Sequence, residues 1–151
     1  MVGGAFWVVH ARMWDQPLLS GATLWGMANF RKYKVWGAAH ALTLELYRAT
    51  NSFPKREWYA LAGQIRRSGG SIPSNLAEGL GKVGEREKAR YLNIALGSAY
   101  ELDCQLLLAR DLGFISGDRY EILYCDLIKV RKMLHNLRRK ITASSLHAPN
   151  P

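Results

Sequence analysis

Six polar side chains come nearest to a set that could do chemistry: Arg67, Ser71, Asn75, Glu78, Ser98 and Glu101. Asn75 and Glu78 are three residues apart, as are Ser98 and Glu101, so on helices each pair shares a face. Arg67 could reach either glutamate. An active site built from these groups would need a nucleophile with a histidine partner, and none is placed to serve. The set reads better as a polar network, in which hydroxyls, an amide and an arginine satisfy two carboxylates and fix the register of two helices around Pro73. No catalytic residue is assigned.

Metal and cofactor chemistry finds little support. A di-metal carboxylate centre needs Glu-x-x-His pairs on facing helices, and the chain has none. Of the four histidines, His10 and His147 fall in the tails, whereas His40 and His135 could meet across a bundle as polar surface or interior groups. Gly79-Leu80-Gly81 and Gly84 lack the preceding strand and following Lys-Ser of a phosphate loop, and read as a helix stop. Cys104 and Cys125 are too far apart for a CxxC site. Free thiols in a reducing, cytoplasmic setting are expected, with a disulfide between neighbouring helices as the alternative. No metal and no cofactor are expected.

These groups must be positioned by helices. The 151 residues suit one domain, and 48% apolar with 22% charged residues is ordinary for a globular chain. Val35, Ala39, Leu42 and Leu46 form one apolar stripe over a helix from about Lys34 to Ala49, widened by Trp36, Thr43, Tyr47 and Thr50. Pro54 suits the first turn of a second helix carrying Trp58, Leu61 and Ile65 inward. Gly69, Gly70 and Pro73 then either kink that helix or break it, with Ser71 as the N-cap of a new one. A third helix spans Glu85 to Asp111, with Glu85 and Glu87 at its positive end and Gly113 to stop it. A fourth, from Ser116 or Asp118, carries Leu123, Leu127, Val130, Leu134, Leu137 and Ile141 at alternating steps of four and three. The expected fold is all-α: an antiparallel up-down four-helix bundle over 30–142, with a disordered tail over 143–151.

Residues 1–29 stand apart. Phe6-Trp7-Val8-Val9 is too short to span a bilayer, and no basic segment precedes it. The expectation is that translation starts at Met27; the alternative is an arm that docks Trp7, Trp14 and Trp25 on the bundle or on a neighbouring subunit.

Four motifs carry a resemblance: Phe53-Pro54 with Glu57, Gln64-Ile65-Arg66-Arg67, Ser71 through Gly79, and Ala95-Leu96-Gly97-Ser98-Ala99-Tyr100-Glu101. Together they resemble the four-helix bundle proteins of 23S rRNA intervening sequences, a family that includes the accessory variability proteins of diversity-generating retroelements. Ser68-Gly69-Gly70 departs from it, standing where alanines and a valine are more usual. The resemblance covers about Phe30 to Ile141 and implies a ring-like homopentamer. It also implies that small residues and polar pairs near Pro73 serve subunit packing as well as internal packing, and that RNA and, in a retroelement setting, a reverse transcriptase are partners.

The formal net charge of +9 implies attraction to polyanions. Arg31, Lys32 and Lys34 precede the first stripe, while Lys129, Arg131, Lys132, Arg138, Arg139 and Lys140 lie outside the seam of the last helix. In an antiparallel bundle these two clusters share one end. They are the candidate nucleic-acid-binding residues of a non-catalytic RNA-binding accessory protein. The alternative is a protein-interaction scaffold with no nucleic-acid role; a membrane role is not expected, because the apolar stripes are used in bundle packing.

Overall fold

Glu85 and Glu87 at one end and Gly113 just past the other bound the helix whose limits are best explained locally. Gly113 takes the left-handed conformation, φ +73°. Its N–H donates to the Arg110 carbonyl and that of Phe114 to the Ala109 carbonyl, both at 2.9 Å. These bonds satisfy two carbonyls of the last turn and reverse the chain. The following helix opens on Ser116, whose hydroxyl accepts from the Arg119 N–H at 3.2 Å.

The computed structural model describes residues 29–146; the expectations for 1–28 and for 147–151 lie outside the described residues. Among the described residues the chain is all-α, with no strand and four long helices: α1 (Lys34–Thr50), α2 (Leu61–Leu80), α3 (Glu85–Asp111) and α4 (Gly117–Leu146). Short 3-10 turns, Phe30–Lys32 and Lys55–Glu57, precede α1 and α2. α4 thus continues past the expected boundary at 142.

One core joins all four helices. Val35, Ala39, Leu42 and Leu46 of α1 meet Ile65, Ile72 and Leu76 of α2, Leu92, Leu102 and Leu106 of α3, and Leu123, Leu127 and Leu134 of α4. Each of the Val, Leu and Ile side chains contributes about 1.5–3 kcal/mol when removed from water. Partners ascend one helix as they descend the next: Arg67 with Glu101, Ser71 with Ser98 and Glu78 with Tyr91 between α2 and α3. Arg131 with Asp103 and Arg138 with Asn93 do the same between α3 and α4.

Three expectations need correction. α2 starts at Leu61, because Pro54 is extended (φ −53°, ψ 143°) and leads only into the turn Lys55–Glu57. Trp58 is exposed, its indole N–H donating to the Phe53 carbonyl at 3.0 Å, and Tyr47 is exposed beneath the Arg66 guanidinium. Nor does α2 break at Pro73, so Ser71 caps nothing: the helix is continuous through the proline. The carbonyl that Pro73 leaves unpartnered, that of Gly69, lies 3.0 Å from the Thr43 hydroxyl of α1.

Candidate functional site

Along the α2–α3 seam the polar residues form separate groups. The hydroxyls of Ser71 and Ser98 lie 2.9 Å apart, and the Asn75 amide donates to the Ser71 carbonyl at 2.8 Å and to its hydroxyl at 2.9 Å. One helical turn away, Arg67 donates to Glu101 at 2.9 Å and to the Gln64 side-chain carbonyl. Gln105 donates to the same Glu101 oxygen at 3.0 Å and accepts from the buried Ser68 hydroxyl at 2.6 Å. Glu78 joins neither group. It accepts from the Tyr91 hydroxyl at 2.6 Å and pairs with Lys82 at 3.3 Å, contacts that hold its carboxyl below the usual range, Tyr91 most strongly. Every group in the seam has a partner of matching chemistry, which is what a register-fixing network requires. Gln64, Ser68, Tyr91 and Gln105 were not anticipated, although Gln105 follows Glu101 by four residues on one helix.

The cations sort by partner. Lys129 pairs with Asp126 at 2.9 Å, which raises its pKa, and Arg131 pairs with Asp103 at 2.5 Å while stacking 4.5 Å over the Tyr100 ring. These two charges are largely compensated. Arg138 instead donates to the neutral Asn93 amide at 2.9 Å and Arg139 to Asn136 at 3.3 Å. Lys32, Lys34, Lys132 and Lys140 are exposed, and Arg31 lies 5.0 Å over the Phe30 ring.

Arg138 and Arg139 line a groove of about 340 Å³ between the start of α3 and the end of α4, together with Asn93, His135 and Asn136. Through Ala89, Asn93 and Thr142 it continues into a hollow of about 760 Å³ bearing Arg86 and Arg90. The carboxylates there, Glu85 and Glu87, pair with Lys88 at 2.8 Å and Arg90 at 3.6 Å. Arg86 extends the basic set by one residue, whereas Arg90 is compensated as Lys129 and Arg131 are.

His40 and His135 do not meet. His40 stacks on Trp36, while His135 Nε2 lies 3.4 Å from the Tyr100 hydroxyl. Among the described residues no cluster of three His, Cys, Asp or Glu side chains could hold a metal ion. Cys104 and Cys125 are exposed free thiols. No helix among the described residues is long and apolar enough to cross a membrane.

With this helical frame in place, the family model for the 23S rRNA-intervening sequence protein matches residues 31–136. The chain belongs to the 23S rRNA-intervening sequence protein family. Among solved structures it is similar to a protein of unknown function from the S23 ribosomal protein family of Bacteroides thetaiotaomicron VPI-5482. The two are 24% identical with a TM-score of 0.63, over 69% of this chain and 97% of that one, a likeness of fold. A search of curated proteins finds no match. In this member of the 23S rRNA-intervening sequence protein family, the matched region takes in the whole α2–α3 seam and α4 as far as Asn136. Arg138, Arg139 and Lys140 lie just beyond it.

Proposed function

We propose that the chain is a non-catalytic, cytoplasmic RNA-binding accessory protein: an antiparallel up-down four-helix bundle that assembles as a homopentamer. The observation that carries the RNA reading is the pairing of Arg138 and Arg139 with neutral amides, in a groove that continues toward Arg86. Past Asp126 the chain has no acidic residue, so no carboxylate of α4 opposes that end. Such a surface binds phosphates with little sequence preference. With α1 and α4 antiparallel, Arg31, Lys32 and Lys34 fall toward the same end, and a closed ring repeats the field around its axis. Self-assembly is supported by the apolar side chains that α3 turns outward, Ile94, Leu107 and Leu108 among them. A reverse transcriptase is the protein partner this reading implies in a retroelement setting.

Fluorescence anisotropy of a labelled structured RNA, titrated across salt with duplex DNA as competitor, tests the reading. Changing Arg138, Arg139 and Lys140 together to Gln is expected to weaken binding roughly tenfold or more and to flatten the salt dependence, with the oligomer unchanged by light scattering. Binding that this triple variant leaves intact removes the groove as the site. Binding abolished equally by DNA or modest salt demotes the charge to a general surface property and favours a protein-interaction scaffold.

A further inference from the structure

At the entry to α1, on the side facing α2, three aromatic rings stand in series. The Phe30 and Trp36 centroids are 4.8 Å apart with planes tilted 57°, and Trp36 and His40 are 5.0 Å apart with planes within 8° of parallel. Trp36 and His40 occupy i and i+4 positions at the edge of the apolar stripe of α1, and Phe30 and Trp36 pack in part against the core. Trp36 is half-buried and His40 exposed. With Pro73, Ser74 and Ala77 of α2 the three rings line an open hollow of about 270 Å³, just below the usual range of ligand pockets. Its lining is the three rings, a pyrrolidine, a methyl group and the Ser74 side chain. The Ser74 hydroxyl donates to its own helix at the Gly70 carbonyl, leaving its lone pairs as acceptors at the rim.

The surroundings are cationic. Arg31 covers the Phe30 ring, Lys32 and Lys34 are exposed, and the sequence has no acidic residue from Gln16 to Leu44. A mostly apolar, ring-lined hollow, a polar acceptor at its edge and cations outside it match a planar, partly polar group joined to phosphate.

We propose that Phe30, Trp36 and His40 form a stacking site for an unpaired nucleobase of a single-stranded nucleic acid, with Arg31, Lys32 and Lys34 taking the adjacent phosphates. The proposal rests on the RNA-binding reading and adds to it a preference for unpaired bases. A phosphate groove alone would bind duplex and single strand alike, whereas an aromatic platform rewards only a base that is free to leave its stack.

The test uses the full chain and labelled oligoadenylate, with an abasic oligonucleotide of equal length, a duplex RNA and oligodeoxyadenylate as comparisons. Trp36→Leu and His40→Ala are each expected to weaken oligoadenylate binding roughly 10- to 100-fold, with duplex and abasic binding unchanged and Trp36→Phe retaining most of the affinity. Loss on oligodeoxyadenylate as well marks a site indifferent to the 2′-hydroxyl; loss confined to RNA marks one that reads it. Thermal unfolding of each variant is followed alongside. Because His40 is exposed, His40→Ala keeps the test decisive if Trp36→Leu does not fold. Unchanged oligoadenylate affinity, or equal losses on duplex and abasic strands, overturns the stacking site while leaving the arginine groove standing. Absence of binding by the unmodified protein to every strand at low salt overturns both.

Discussion

The hydroxyl of Thr43 stands in for the amide hydrogen that Pro73 lacks. In a helix the Gly69 carbonyl would accept from residue 73, and proline has no N–H to give. Thr43 Oγ1, from the neighbouring helix, lies 3.0 Å from that carbonyl and 2.9 Å from Ala39 O, so its one proton is set between two acceptors. Thr43→Val is expected to cost about 1–3 kcal/mol, the cost of leaving a buried acceptor unsatisfied. Pro73→Ala returns an N–H to the Gly69 carbonyl, so in that background the same change should cost well under 1 kcal/mol. Urea unfolding of the four proteins in this cycle measures the coupling; equal costs in both backgrounds would show that Thr43 acts only through packing.

Adjacent glycines of α2 should respond oppositely to alanine. A β-carbon on Gly69 would collide with Leu46 Cδ1, and Leu46 is completely buried, whereas one on Gly70 meets nothing within 4 Å. Gly70→Ala is expected to stabilise by up to about 1 kcal/mol through helix propensity. Gly69→Ala gains the same propensity but is expected to lose about 1–3 kcal/mol to overpacking, a net destabilisation read as a lower denaturation midpoint. Gly79→Ala belongs with Gly69, since its β-carbon would stand 2.6 Å from Tyr91 Cβ.

Acid should loosen the α1–α4 contact. Hydrogen bonds from Arg119, at 2.5 Å, and from Arg48 hold the Glu45 carboxyl below its ordinary range. The unfolded chain therefore takes up this proton at higher pH than the folded one. The stabilisation is full above the ordinary glutamate range and is lost as pH falls through it toward the lowered folded value. Glu45→Gln is expected to flatten this acid limb in a series of thermal melts. Glu78, lowered by Tyr91 and Lys82, contributes in the same direction, so Glu45→Gln with Glu78→Gln should flatten it further. An acid limb unchanged in the double variant would contradict the assignment.

How much of this was legible varies by element. The limits of α3 could be read because Glu85, Glu87 and Gly113 act locally, through the helix dipole and a left-handed cap. The apolar stripes of α1 and α4 were equally plain, being periodic. The start of α2 was not: whether Pro54 opens an α-helix or a single turn depends on Trp58 reaching back to the Phe53 carbonyl, a contact that spacing does not encode. The continuity of α2 through Pro73 was hidden for the same reason, since the compensating hydroxyl comes from another helix. In the candidate site, Arg67 and Glu101 could be paired in advance, but the division of four of the nine cations into a compensated pair and an amide-bonded pair depended on where Asp103, Asp126, Asn93 and Asn136 fall in space.

The two ends of the molecule are fastened differently. At one, Phe53 from the α1–α2 connection and Phe114 from the α3–α4 connection meet with ring centroids 5.3 Å apart, and Ile115 is buried beside them. At the other, the α2–α3 connection leaves Val83 96% exposed. Among the described connections, local opening is expected to start from this one. Amide hydrogen exchange should spread inward from Gly81–Gly84, and a protease should nick there before it reaches the connections held by the two phenylalanines.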